Sequence, residues 1–174
     1  MNKFLLAVLL LIAISYGAWY LNKSVHIDIN HKFILTNFSA WEEVPRKSGA
    51  YKSFATHKDG IINSYADIRF LKKEKTLSET THIKSAKEEC QNLANEPQVT
   101  SYTIDVSEFK KDNSVVVMCR GEGIGTVTKL PTTVTMYSFF GLEDEILILS
   151  TSYPSNNTTE EINENNLIDG FRFY

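Results

Sequence analysis

The longest uncharged run opens the chain. Phe4 to Leu21, FLLAVLLLIAISYGAWYL, holds eighteen positions without a charge between Lys3 and Lys23, the minimum length of a bilayer-spanning helix. Trp19 and Tyr20 near its far end resemble an interfacial aromatic anchor. A secretory signal would carry a shorter apolar run and a small-x-small cleavage site, for which Ser15-Tyr16-Gly17 is the nearest match. The pattern therefore predicts an uncleaved signal anchor over residues 1–24, with a cleaved signal as the alternative. In either case the remainder is exported, from a bacterial inner membrane into the periplasm in the anchored case.

Beyond it the periodicity changes. Residues 25–30 are expected to form a juxtamembrane tether and 31–174 one exported domain. HKFILTNF (31–38) suits a short strand, and Gly49–His57 and Asn63–Lys72 flank Asp59-Gly60, a strong hairpin signal. Ala66, Ile68 and Phe70 share the expected core face of the latter strand. Residues 77–94 read as a helix, with Thr76 as N-cap and Glu79 as its capping-box partner. Ile83, Ala86, Cys90 and Leu93 line its apolar side, and Pro97 ends the segment. Val99–Phe109, Ser114–Arg120, Thr132–Phe140 and Glu145–Tyr153 read as strands, the last two as an adjacent antiparallel pair. A closing helix is expected from Thr158 to Gly170, with Ile162, Leu167 and Ile168 facing the core and the Phe171–Tyr174 rings packing on the domain. This order predicts an α+β fold, an antiparallel sheet flanked by helices.

Composition narrows the function. The chain has 174 residues, 43% hydrophobic and 22% charged, with a formal net charge of -3, so it supplies no cation excess for nucleic-acid phosphates. Past residue 24 the balance is 16 Lys+Arg against 21 Asp+Glu, net -5. Its two cysteines are not spaced as a redox or zinc pair. Cys90 falls on the helix's apolar stripe, and Cys119 shares a strand face with Val115 and Val117. Helix and sheet meet through such faces, so a Cys90–Cys119 disulfide is expected in an oxidising compartment.

The element order also carries a resemblance. A short strand at Phe33-Ile34-Leu35 before Trp41, the strand INSYADI (62–68), a helix after Leu77-Ser78, and a long meander to Tyr153-Pro154 and a helix closed by Gly170-Phe171-Arg172 resemble the PsbP-like superfamily over residues 31–173. That superfamily includes the photosystem II extrinsic protein, a Ran-binding import factor, DcrB-like lipoproteins and chaperones of type VI effectors. The resemblance implies an α/β/α sandwich acting as a non-enzymatic binding or assembly module.

Other constellations bear on chemistry. Gly121-Glu122-Gly123-Ile124-Gly125 lacks the GKS/GKT ending and following helix of a phosphate loop, and is expected to be a hairpin or bulge. His26, His31, His57 and His82 lie at no metal-ligand spacing, so no metal or cofactor is expected. No GxSxG elbow is present, and the adjacent carboxylates Glu88-Glu89 and Glu160-Glu161 are expected to be solvated or to serve helix N-termini. Trp41, Glu42, Glu43 and Arg46 have two readings: the ring caps the core, or the segment anchors a protein partner. The function expected is a membrane-anchored envelope protein that binds another protein, as an accessory or assembly factor or as an immunity protein against an exported toxin. The alternatives are an envelope hydrolase with a non-standard site and a small-ligand carrier.

Overall fold

The computed structural model describes residues 25–90, 99–125 and 128–174. The expected anchor (4–21) and the end of the first helix (91–94) lie outside them. Among the described residues no helix is long and apolar enough to cross a membrane. The described residues divide into two compact units, one holding those between 25 and Ala40 together with Asn165–Tyr174, the other those between Trp41 and Glu164.

The larger unit is built on a seven-stranded antiparallel sheet. Its strands are β3 (Glu42–Val44), β4 (Lys52–Lys58), β5 (Ile61–Lys72), β6 (Val99–Lys111), β7 (Ser114–Gly125), β8 (Pro131–Phe139) and β9 (Glu145–Pro154), in the order β3-β4-β5-β9-β8-β7-β6. Local chemistry explains the hairpins. Asp59 and Gly60 have φ of 54° and 79°, the left-handed pair demanded by a two-residue turn that matches strand twist. Lys58 and Ile61 are accordingly the last partners of β4 and β5.

The sheet's two faces take different helices. Directly opposed residues in antiparallel strands point to one face, and neighbours along a strand alternate. Phe54, Ala66, Thr151, Thr135 and Arg120 form one row across five strands. On that face Thr151 donates to Glu164 of helix α2 (Thr158–Gly170). Cys119, next to Arg120, is on the opposite face and is bonded to Cys90 of helix α1 (Glu79–Cys90), with Cα atoms 5.5 Å apart. Ala86, Val117, Phe140 and the disulfide form the core of that side. The larger core is on the α2 face, where Phe54, Ala66, Ile68, Val116, Phe139, Leu147 and Leu149 are buried. This α+β arrangement agrees with the expected fold class.

Several details differ from expectation. The N-cap of α1 is Ser78 rather than Thr76: its Oγ accepts from the Thr81 amide at 3.2 Å, while Thr76 bonds Glu74. For α2, where Thr158 and Glu161 repeat the capping-box spacing in the sequence, it is instead Asn157, with Oδ1 accepting from the Glu160 amide at 3.3 Å. Asparagine is the stronger cap and wins the position. The glycine run 121–125 is not a hairpin but part of β7, in continuous register with β8 from Val116 to Ile124; the expected irregularity is in its pairing with β6, whose register shifts between Thr100 and Thr103, opposite Glu122 to Ile124. Tertiary pairing on both sides overrides glycine's weak strand propensity, and the chain reverses only after Gly125, whose amide donates to Leu130.

The smaller unit is a three-stranded sheet in the order β1-β2-β10, from β1 (His26–Asp28), β2 (Phe33–Leu35) and β10 (Phe171–Phe173). The segment expected as a tether thus contains a strand, because residues from the far end of the chain complete the sheet. Phe33, Leu35 and Phe171 are buried, and the Phe33 and Phe171 rings stack at 5.2 Å. Gly170 turns α2 into β10 against Thr36, whose amide donates to the Gly170 carbonyl at 2.9 Å. A Cβ at residue 170 would overlap the Thr36 carbonyl.

Candidate functional site: sheet edges, an acidic groove and two buried carboxylates

The segment singled out in the sequence lies at one edge of the large sheet. Trp41 is 4% exposed, and its indole Nε1 donates to the Asn163 carbonyl at 3.4 Å, so its ring belongs to the core. What the segment presents to solvent is Glu42, Glu43 and Arg46. Glu43 pairs with Lys52 at 3.1 Å and Glu42 approaches His57 Nδ1 at 3.5 Å; surface pairs of this kind contribute little to stability. Behind them Asp67 is buried, accepting from Ser53 at 2.6 Å with Lys47 3.4 Å away.

The opposite edge is longer. β6 runs for thirteen residues and, among the described residues, pairs only with β7. Thr103, Asp105, Ser107 and Glu108 are exposed, and so is Val106 at 42%. Such an edge offers a row of main-chain donors and acceptors to another strand. Lys87 of α1 holds Glu108 at 2.6 Å, which fixes the helix beside this edge. Sequence periodicity identifies β6 as a strand but not as an edge, because edge position is decided by distant pairings. Charged side chains on both of its faces, Asp105 on one and Glu108 and Lys110 on the other, were the available signal.

A surface groove of about 290 Å³ is lined by Lys73, Glu74, Lys75, Leu77, Glu79, His82, Glu143 and Asp144. His82 Nε2 lies 3.2 Å from the Glu74 carbonyl. Lys73 donates to the Leu142 carbonyl at 2.6 Å and lies 3.7 Å from Glu79. The lining is charged and open to solvent. Among the described residues no group of three or more His, Cys, Asp or Glu side chains could hold a metal ion.

The feature least visible in the sequence is the inner face of α2. Glu160 and Glu164 are 5% and 1% exposed, whereas Ile162, expected inside, is 54% exposed. Glu160 accepts from Ser64 at 2.6 Å, Asn63 at 2.7 Å, Thr56 at 2.8 Å and Asn163 at 3.3 Å. Burial alone would raise its pKa, but these four donors outweigh it and hold the carboxyl below its ordinary value. Glu164 accepts from Thr151 and stands near Tyr137 and Tyr153. Burial first, then the Glu164 charge, pushes both phenols well above their ordinary range. Arg120 is held above its ordinary value: burial lowers it, but Tyr153, Glu164, Glu122 and Glu161 together raise it further. The hydrogen bonds of Glu160 and Glu164 tie α2 to β4, β5 and β9, while Glu164 Oε2 and the Tyr153 hydroxyl are buried with no hydrogen-bond partner among the described residues. The missed signal is spacing: Glu160 and Glu164 are one helical turn apart, and Thr56, Ser64 and Thr151, which hydrogen-bond them, are buried too.

No family model matches the chain, and no curated protein matches its sequence. Solved structures do share its fold. Cyanobacterial PsbP (CyanoP) from Synechocystis sp. PCC 6803 superposes with a TM-score of 0.59 at 11% identity, over 87% of this chain and 94% of that one. LpqN of Mycobacterium tuberculosis, described as involved in cell envelope biogenesis, gives 0.55 at 15% identity over 84% and 82%. The Ran-binding protein Mog1p of Saccharomyces cerevisiae gives 0.52 at 6% over 86% and 94%. A longer chain from Bacteroides thetaiotaomicron matches with 0.53 at 14% over 87% of this chain, which spans about half (48%) of that one. The fold is therefore PsbP-like, as the order of elements suggested.

Proposed function

We propose that this chain is a non-enzymatic envelope protein, anchored in a bacterial inner membrane by residues 4–21, whose periplasmic domain binds another protein. The observation that carries the binding reading is β6: thirteen residues of strand paired on one side only among the described residues, with Val106 exposed at its middle. An extended segment of a partner adds to such an edge through main-chain hydrogen bonds, and the alternating side chains supply selectivity. Glu42, Glu43 and Arg46 at the other edge are a second contact. The disulfide between α1 and β7 supports an oxidising compartment. Two proteins that share the fold have roles in the same direction, one in envelope biogenesis and one in Ran binding.

The test is site-specific photocrosslinking in intact cells, with the reactive residue placed in turn at Val106, at Glu43 and, as a control, at the exposed Arg69 of β5. A recurrent protein adduct from position 106 supports the reading. No adduct from 106 or 43, or equal adducts at 69, overturns it. A narrower form, an immunity protein, is supported by the small acidic exported part and is tested by rescue of cells from a cognate toxin. One observation favours a hydrolase instead, since His82 sits in a groove with Glu74, Glu79, Glu143 and Asp144. In that case His82→Ala removes function while leaving the position-106 adduct intact.

A further inference from the structure

The outer face of the smaller unit is unusually apolar for a face turned to solvent. In the register of its sheet, Ile27, Ile34 and Arg172 stand in one row across β1, β2 and β10. Ile27 is 57% exposed, Ile29 just beyond it is 79% exposed, and Tyr174 is 57% exposed. Between the flanking strands Ile34 is half-buried. Tyr174 is held there by its main chain and its hydroxyl: its amide donates to the Lys32 carbonyl at 3.0 Å and its hydroxyl to the Asp28 carbonyl at 3.2 Å. Lys32 and Arg172 bring two exposed cations to the rim. The opposite face of the same strands, with Phe33, Leu35 and Phe171, is the buried one. A single exposed isoleucine needs no explanation, but Ile27 and Ile34 on one face, with the exposed Ile29 in the turn that follows, a tyrosine and flanking cations make the side-chain mixture found at a membrane–water boundary.

The chain itself says which surface is within reach. The uncharged run ends at Leu21 and β1 begins at His26, so five residue steps of at most about 3.6 Å allow roughly 18 Å between them. The headgroup zone beyond the hydrocarbon is on the order of 5–8 Å deep on each side. We propose that Ile27, Ile29, Ile34 and Tyr174, flanked by Lys32 and Arg172, rest in the headgroup zone of the bilayer that residues 4–21 cross. This inference rests on the membrane-anchor reading and adds a second point of attachment to it. The contact is local: the exported part is net acidic, so its overall charge does not draw it to the membrane.

The experiment uses the full chain with its disulfide formed, reconstituted in vesicles of phosphatidylethanolamine and phosphatidylglycerol. An environment-sensitive fluorophore is attached to a cysteine introduced singly by Ile27→Cys, Ile29→Cys, Lys58→Cys or Ile12→Cys, with nitroxide lipids as quenchers. The expected result is blue-shifted emission at 27 and 29, quenched by headgroup-level nitroxides. Position 58 stays water-like and position 12 is quenched by deep nitroxides. Water-like emission at 27 and 29 together with deep quenching at 12 overturns this inference alone. Loss of quenching at 12 overturns the anchor reading and this inference with it. Protection at 27 and 29 that disappears as protein is diluted into excess lipid assigns the face to a second copy of the chain, and also overturns it.

Discussion

Glu160 and Glu164 are one helical turn apart on α2, and each is buried against hydroxyls or amides that the strands supply. For Glu160 the consequences are measurable. Removing the carboxylate with Glu160→Ala leaves Thr56, Asn63 and Ser64 without their acceptor, and the expected loss is on the order of 1–3 kcal/mol in urea unfolding. The pH dependence follows from the direction of its shift. A carboxyl held below its ordinary value in the folded state contributes stability above the unfolded pKa of about 4.3. That contribution is lost as pH falls through the lower folded value. The stability difference between the natural chain and Glu160→Gln is therefore expected to be largest near neutral pH and to shrink below about pH 4. An unchanged difference at pH 3 overturns the assignment. Gly170 is the other decisive residue: Gly170→Ala drives a methyl into the Thr36 carbonyl. It should lower the thermal midpoint, whereas Gly49→Ala meets no neighbouring atom within 4 Å and is opposed only by its positive φ.

At the scale of elements the disulfide is the clearest staple, joining α1 to β7 across 29 residues of sequence. The chain-entropy model gives about 3–4 kcal/mol for a loop of that length. Cys90→Ser with Cys119→Ser is expected to lose that much in denaturant unfolding and to expose α1 first to hydrogen exchange. Much at this scale was legible in the chain. Asp59-Gly60 fixes its hairpin through a turn that few other residue pairs tolerate, and the positions of Cys90 and Cys119 on apolar faces anticipate their meeting. Less legible was whatever depends on distant partners. The glycines of β7 are strand because β6 and β8 flank them. Ile162 is outside and Glu160 inside because the surface under α2 carries hydroxyls, which periodicity counted on apolar residues does not register. β10 was legible only as a cluster of rings, since its partner β2 lies at the far end of the sequence.

For the whole molecule, the anchor and export readings make a joint expectation. The chain should remain in the membrane pellet through alkaline carbonate extraction, and its cysteines should resist alkylation until a reductant is added; a protein released by carbonate, or with both thiols reactive as isolated, contradicts them. The PsbP-like fold explains how a single sheet presents two separate edges while using both faces for its own core. The smaller unit adds a matter of timing. Its central strand β2 is flanked by β1, made a few residues earlier, and by β10, made after all the other described elements. In a polypeptide that emerges amino end first, one flank of β2 stays vacant until Phe171 to Phe173 arrive. Phe171 to Phe173 thus act as a latch on β2, and a protease would have its best opportunity against this sheet in the interval before the latch engages.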